Sequence, residues 1–175
     1  MKLYVVDDDY IEYLKKFDNH VLNYSGKDYK NKRKYLGILL NINECKYIAP
    51  LSSPNKKTDY LESGEIRKSI VPIIRIVSNE NLLGTIKLSS MIPVYDETVI
   101  SYYNIKDEKD IKYKNLVSKE YKFININKEY IIKNALKLYT QKINNMSMKY
   151  VQETVNFKLL EEKAKLYMNK KIFEV

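Results

Sequence analysis

Tyr35-Leu36-Gly37-Ile38-Leu39-Leu40-Asn41-Ile42 and Lys46-Tyr47-Ile48-Ala49-Pro50-Leu51 are two mostly apolar segments of strand length, close together in the chain. Asn43 and Glu44 lie between them and are typical of a tight turn, so the pattern predicts a β-hairpin. The strands of a hairpin run antiparallel, so the residues before the first strand and after the second meet at one end. This hairpin therefore determines which polar residues can share a site.

Further strands are predicted at residues 2–6, 70–77, 83–88 and 91–95. Pro72 has no backbone N–H, which indicates an edge strand or a strand start, and Gly84 indicates a bulge. No helical segment long enough for regular β-α-β crossovers separates these strands. We therefore expect a small, mostly antiparallel β-barrel, because closure removes exposed strand edges.

Helices are predicted at residues 10–17, at 107–118, from Asn127 to 143, and from Val151 to about Lys170. The carboxylates of Asp7 to Asp9 suit the positive end of the first helix. Residues 121–125 are a strand candidate. Asn127 is expected to cap the helix that follows it, with Ile126 and Ile131 packing together as a hydrophobic staple.

The fold class predicted from this order is α+β, with a barrel core elaborated by an N-terminal helix and C-terminal helices. The chain has 175 residues, of which 45% are apolar, enough for one sizeable core. We therefore expect a single domain spanning residues 1–175.

The charge of the chain points to a polyanionic partner. There are 31 Lys and Arg residues against 22 Asp and Glu, a net charge of +9, and 17 tyrosines that could stack unpaired bases. A compositional bias of an AT-rich genome explains the same excess without function. Adhesion to an anionic membrane is a weaker alternative, because no helix combines a lysine face with an exposed apolar face.

Several classes of chemistry are disfavoured. The chain has one cysteine, Cys45, and one histidine, His20, so the usual zinc ligand sets are missing and a catalytic triad would depend on His20 alone. Phosphate-binding loops, dinucleotide fingerprints and metalloprotease motifs are absent from the sequence. Asp7 to Asp9 could bind a hard cation, but the start of a helix explains them more economically. We therefore expect no cofactor and no metal. We also expect a cytoplasmic protein, because Met1 leads directly into charged sequence.

Two basic or hydroxyl-rich segments flank the hairpin. The first strand is preceded by Tyr29-Lys30-Asn31-Lys32-Arg33-Lys34, which is the end of a basic loop at 18–34. The second strand is followed by Ser52-Ser53-Pro54-Asn55-Lys56-Lys57. Antiparallel pairing brings them together, and converging cations and hydroxyls are what phosphate recognition requires. The alternative is a solvated basic rim.

The hairpin and the Ala49-Pro50-Leu51-Ser52-Ser53-Pro54 segment resemble the ToxN/AbiQ family, the toxins of type III toxin-antitoxin systems. Three further segments match the family in order and approximate spacing: Tyr10-Ile11-Glu12-Tyr13-Leu14-Lys15-Lys16-Phe17-Asp18, Met91-Ile92-Pro93 and Leu160-Glu161-Glu162-Lys163. The resemblance covers nearly the whole chain.

The resemblance implies a metal-independent, sequence-specific endoribonuclease with a compact core similar to the Kid/MazF toxins. It also implies cellular mRNA as substrate and a small repeat antitoxin RNA as partner. The toxin cuts this RNA into pseudoknot units, which block its active site and close with it into cyclic protein–RNA assemblies. Several members of the family defend bacteria against phage. A non-catalytic RNA-binding module is the alternative.

The resemblance matches Tyr29, Arg33, Ser52, Ser53 and Tyr113 to family positions, and the other assignments rest on the basic and aromatic residues of this chain. Tyr29, Arg33, Ser52, Ser53 and Lys56 are the predicted catalytic set, and Lys2, Tyr10, Lys30, Lys32, Lys34, Lys57, Tyr113 and Lys114 are the predicted RNA-binding set. Two positions depart from the family pattern: Asn55 stands where a lysine is common, so Lys56 or Lys57 would take its role, and Glu120 stands where a glutamine is expected.

Overall fold

The structure is a computed structural model that describes residues 1–22, 33–42 and 44–173, with side chains through residue 169. The strands are β1 (Lys2–Val6), β2 (Lys34–Ile42), β3 (Cys45–Ser52), β4 (Ile73–Ser78), β5 (Asn81–Lys87), β6 (Ile92–Val94) and β7 (Ile100–Tyr102). The helices are α1 (Asp8–Lys15), α2 (Lys56–Asp59), α3 (Ile111–Ile126), α4 (Lys128–Ile143), α5 (Lys149–Gln152) and α6 (Phe157–Phe173).

The strands form an antiparallel seven-stranded sheet in the order β4-β5-β3-β2-β1-β7, with β6 paired to β3. One edge of β3 pairs with β2, and its other edge pairs with β6 at Lys46–Ile48 and with β5 at Leu51 and Ser52. The predicted α+β class is confirmed. Within the described ranges no ladder joins β4 to β7, so the sheet is an open path there and a closed barrel is not observed.

The strand predictions are confirmed in most details. The hairpin forms from β2 and β3, with Glu44 at a positive φ of 65° in the turn. Pro72 directly precedes β4, an end strand of the sheet. The β4–β5 register shifts between the pairs Ile76–Gly84 and Val77–Leu82, which confirms the bulge beside Gly84. The short strand β7 was not predicted.

The strand predicted at residues 121–125 is wrong, because this segment is the last part of α3. Val117, Glu120 and Ile124 are buried at helical spacing, so packing of one helix face outweighs the strand preference of the aromatic and β-branched residues. Asn127 is the N-cap residue of α4, as predicted, but its side chain makes no capping bond, and its Nδ2 donates to the carbonyl oxygen of Phe123 at 2.9 Å. The predicted staple is wrong, because Ile126 is 74% exposed.

The C-terminal helix α6 is fastened to β3 by a buried polar cluster. The carboxylate of Glu161 accepts hydrogen bonds from Tyr47 at 2.6 Å, Tyr139 at 2.8 Å and Lys158 at 2.9 Å. Burial would raise the pKa of Glu161, but these hydrogen bonds outweigh burial and lower it. Glu161, which belongs to one of the family-like segments, therefore has a structural role here.

Candidate active site

The two segments that flank the hairpin meet at its open end. Nη1 of Arg33 donates to Oγ of Ser52 at 2.6 Å and to the carbonyl oxygen of Leu51 at 3.0 Å. The cause is the antiparallel register, which sets Tyr35 opposite Pro50 and so places the residue before β2 beside the end of β3. The predicted convergence is confirmed for Arg33 and Ser52.

A pocket opens at this contact. It is lined by Arg33, Lys34, Leu51, Ser52, Ser53, Leu83, Tyr113, Leu116 and Glu120. The start of β2 and the end of β3 contribute the cations and hydroxyls, β5 contributes the residue at its bulge, and α3 closes the opposite side. The pocket therefore combines positive charge, two alcohols and one carboxyl group.

The segment after Ser53 is ordered by Asn55. Its Oδ1 accepts from the backbone N–H groups of Lys57 at 2.9 Å and Thr58 at 3.3 Å, which caps the short helix α2. Asn55 thus has a structural task at the position where the resemblance expects a lysine. Lys56 and Lys57 form the first turn of α2, are exposed and do not line the pocket.

A buried ion pair supports α2 from below. Oδ1 of Asp59 lies 3.1 Å from Nη2 of Arg75, and both side chains are almost fully buried. Oδ2 of Asp59 accepts from the backbone N–H of Asn55 at 2.8 Å, while Arg75 also donates to the carbonyl oxygens of Lys68 and Thr58. The pair therefore ties the segment that follows Ser53 to strand β4.

Lys34 is held against tyrosine rings. Its Nζ lies 4.2 Å from the ring centroid of Tyr103 and 5.9 Å from that of Tyr113, and the residue is 7% exposed. Tyr103 in turn donates its hydroxyl to Glu108 at 2.7 Å, the main cause that lowers the pKa of that carboxyl. Lys34 thus places a fixed positive charge in the pocket wall.

Other predicted RNA-binding residues lie away from the pocket. Tyr10 is wrong as an RNA contact, because it is 1% exposed and its hydroxyl donates to the carbonyl of Pro93 at 2.7 Å in the core. Nζ of Lys114 donates to the carbonyl of Lys106, and exposed Lys2 lies 5.7 Å from the ring centroid of Tyr102. RNA contacts of Lys2 and Lys114 stay predictions.

Part of the predicted site lies outside the described residues. Tyr29, Lys30 and Lys32 fall in residues 23–32, together with most of the basic loop. Their roles stay predictions.

The remaining candidate groups have local roles. The carboxylate of Asp7 accepts from the backbone N–H of Asp9 at 2.9 Å and begins α1, and Nδ1 of His20 lies 3.0 Å from Oδ1 of Asp18. Burial raises the pKa of the Cys45 thiol to about 12. In the part of the chain that the structure describes, no cluster of three or more His, Cys, Asp or Glu residues could hold a metal ion, and no helix is long and apolar enough to cross a membrane.

Comparison with known families matches residues 2–165 to the model of the toxin ToxN of type III toxin-antitoxin systems. The chain belongs to the ToxN toxin family. The family expected from the hairpin and from the Ala-Pro-Leu-Ser-Ser-Pro segment is thereby confirmed.

Two relatives are named as endoribonucleases. The chain is 35% identical over 169 residues to the endoribonuclease ToxN of Pectobacterium atrosepticum, which covers 93% of this chain and 91% of that protein. It is 30% identical over 176 residues to the endoribonuclease AbiQ of Lactococcus lactis subsp. lactis, covering 99% of this chain and 93% of the relative. The expected enzyme class, an endoribonuclease of the ToxN family, is confirmed.

Solved structures share the fold. One, from a bacterial antiviral system that a processed non-coding RNA regulates, superposes with a TM-score of 0.82 at 33% identity and covers 94% of this chain and 98% of that chain. A second, from a type III system in which a non-coding RNA pseudoknot selectively inhibits the toxin, has a TM-score of 0.79 at 26% identity, covering 95% and 97%.

Three residues at or beside the pocket were not predicted from the sequence: the lining residues Leu83 and Leu116, and Tyr103, which lies beside Lys34. Glu120 was noted only as a departure from the family pattern, and its place in the pocket was not predicted. A signal for Glu120 does exist in the sequence. It follows Tyr113 by two helical turns, so the two share a face of α3. The erroneous strand at 121–125 obscured this relation.

Proposed function

We propose that this chain is a metal-independent, sequence-specific endoribonuclease that cuts cellular mRNA and its own repeat antitoxin RNA at the pocket bordered by Arg33, Ser52 and Ser53. The observation that carries the proposal is the hydrogen bond from the Arg33 guanidinium to the Ser52 hydroxyl, in a chain of the ToxN family. This contact sets a fixed cation and alcohols where a phosphate group would bind.

The chemistry needs few protein groups, because RNA carries its own nucleophile. The ribose 2'-oxygen forms a bond to the adjacent phosphorus while the bond from phosphorus to the 5'-oxygen breaks. The 2'-hydroxyl proton passes to a base and the leaving 5'-oxygen receives a proton from an acid. Arg33 stabilises the charge of the transition state, and Ser52 and Ser53 orient the phosphate by hydrogen bonds.

The proton-transfer groups are assigned to residues that lie close to Arg33 or Ser53 in the chain. A serine hydroxyl holds its proton too tightly at neutral pH to act as the base unaided. Tyr29 and either Lys56 or Lys57 are the proposed acid and base, since each stands in a segment that adjoins Arg33 or Ser53 in the chain.

The proposal extends to regulation. Because relatives belong to systems in which a non-coding RNA regulates or inhibits the toxin, we assign this chain an antitoxin RNA of tandem repeats that it cuts into pseudoknots and with which it forms a cyclic complex. The net charge of +9 suits such a partner. A role in phage defence is consistent with the antiviral system of one structural relative.

The proposal also covers the finer features of the protein. These are a Kid/MazF-like barrel core, a single domain at residues 1–175 and a cytoplasmic location. The antiparallel pairing of the described strands supports the barrel core, and one continuous cluster of buried side chains supports a single domain.

The products of cleavage test the mechanism. Attack by the 2'-hydroxyl leaves a 2',3'-cyclic phosphate on one fragment and a 5'-hydroxyl on the other, and the protein groups named above need no metal. We expect these ends when bacterial mRNA is incubated with the protein in excess EDTA, detected by end labelling and mass spectrometry. Loss of cleavage in EDTA that Mg²⁺ restores would contradict the mechanism.

Substitution of Ser53 separates a nuclease from an RNA-binding module. Ser53→Ala removes one hydrogen bond to a charged phosphate, so the cleavage rate should fall about tenfold to a hundredfold while affinity for RNA changes little. Single-turnover cleavage and filter binding measure the two quantities. Ser63→Ala, at an exposed serine in the loop before β4, is the matched control and should leave both unchanged. A wild-type chain that binds RNA without cutting it, with the same affinity in both variants, would favour a non-catalytic module.

A further inference from the structure

Glu120 is the acidic side chain among the described residues that line the pocket, and the mechanism above gives it no task. We propose that Glu120 is a further substrate-binding residue, whose neutral carboxyl group donates a hydrogen bond to an RNA phosphate oxygen beside Arg33. This inference rests on the proposed function, since it requires a phosphate in the pocket.

The position of Glu120 is built into the fold. The residue is 7% exposed and lies on α3, which packs against β4 and β5. A methyl group on Gly84 would overlap Oε1 of Glu120 and would lie 3.0 Å from the carbonyl oxygen of Ser52. The absence of a side chain at Gly84 therefore leaves room for the carboxyl group close to the residue that Arg33 binds.

Among the described residues, the charged groups around the pocket do not neutralise Glu120. In the described part of the chain, no hydrogen bond or ion pair to its carboxyl group is found. Arg33 directs Nη1 to Leu51 and Ser52, and Lys34 lies over the ring of Tyr103. Other described titratable or charged groups share the pocket or lie on the strands that α3 packs against. They are Tyr113, Arg75 of β4, which binds Asp59, and Lys87 of β5, whose pKa is lowered mainly by burial.

Burial without a cationic partner favours the neutral carboxyl group, and it raises the pKa of Glu120 to about 7. A carboxylate would repel the phosphate that Arg33 attracts. The neutral form instead carries an O–H that can donate to a phosphate oxygen, as a buried carboxylic acid does in other enzymes. The charge of the bound phosphate raises this pKa further, so RNA binding is accompanied by proton uptake. No covalent bond to Glu120 forms or breaks.

The test compares Glu120→Gln with the wild-type chain in single-turnover cleavage of bacterial mRNA from pH 5.5 to 8.5. The amide is nearly isosteric and is a permanently neutral donor. With RNA below saturation, we expect equal rates near pH 6 and a variant that exceeds the wild type by about tenfold for each pH unit above the pKa of Glu120 in the free protein, which is about 7. The ratio of the two rates cancels the pH dependence of all other groups. Glu120→Ala lacks the donor and should lose about tenfold at pH 6.

Melting temperatures supply a readout that does not depend on RNA. The pKa of Glu120 in the folded chain lies above its ordinary value of 4.5. The contribution of Glu120 to folding stability is therefore full below pH 4.5 and is lost as the pH rises through about 7. The melting temperature of Glu120→Gln should be higher than that of the wild type at pH 8 and equal to it at pH 4. Glu129→Gln, at an exposed glutamate in the first turn of α4, is the control and should change neither profile.

Two results overturn the inference while leaving the proposed function intact. One is a folded Glu120→Gln variant that cuts no RNA at any pH, which would make Glu120 a base. The other is a rate ratio that stays constant from pH 5.5 to 8.5. A wild-type chain that cuts no RNA at any pH overturns the proposed function as well.

Discussion

Replacing Arg33 by alanine is expected to lower the rate of RNA cleavage by about a hundredfold to a thousandfold. The guanidinium is the described cation that contacts the Ser52 hydroxyl directly, and loss of a preorganised donor to transition-state charge has effects of this size. Arg33→Lys keeps the charge but not the planar fork of donors, so its rate should lie between the two. Single-turnover cleavage of bacterial mRNA measures all three proteins.

The control for charge is Arg67→Ala. Arg67 is an exposed arginine in the loop before β4, and it contacts only the carbonyl of Tyr60 among the hydrogen bonds found for its side chain in the described part of the chain. Its loss should change the rate less than threefold. A melting temperature close to that of the wild type would show that Arg33→Ala acts on chemistry. If Arg33→Ala cuts RNA as fast as Arg67→Ala, the pocket is not the active site.

Replacing Asp59 by alanine is expected to lower the free energy of unfolding by about 3–5 kcal/mol. The substitution strands the guanidinium of Arg75, which is 5% exposed, without its counter-ion, and removes the acceptor for the backbone N–H of Asn55. Denaturant unfolding followed by circular dichroism measures the loss. Cleavage should fall too, because α2 and the segment after Ser53 lose their attachment to β4.

The control for Asp59 is Glu62→Ala, at an exposed acid in the loop that follows α2, with an expected change below about 0.5 kcal/mol. The double variant Asp59→Leu with Arg75→Met leaves no orphaned charge and should recover much of the lost stability. A loss below about 1 kcal/mol in Asp59→Ala would contradict the role assigned to the pair.

The hairpin made the location of the pocket predictable. Antiparallel pairing fixes which chain ends meet, so the meeting of Arg33 and Ser52 follows from the pattern of apolar residues alone. The sequence pattern does not show which side chains are buried by packing between distant elements. Tyr10 has a ring that could stack on a base, but it lies in the core, because the packing of α1 on the rest of the fold decides its burial.

Long-range contacts account for the other differences. Nothing in the local sequence shows that Asn55 caps a helix whose last residue binds Arg75 of a distant strand. Residues 121–125 favour a strand by composition, and only the packing of α3 on β4 and β5 makes them helical. Glu120 was recognised as a departure from the family pattern, but its surroundings depend on Gly84, which the sequence indicated only as a bulge.

The polar cluster around Glu161 has a genetic consequence. Strand β3 carries Tyr47 within that cluster and ends at Ser52 in the pocket, so one strand connects the C-terminal helix to the proposed active site. Cells that survive forced expression of such a toxin need not have lost a pocket side chain. Alleles altered at Tyr47, Tyr139 or Glu161 would inactivate the protein by disturbing the cluster at the other end of β3. Such alleles would look unrelated to RNA cleavage, because none of the three residues lines the pocket.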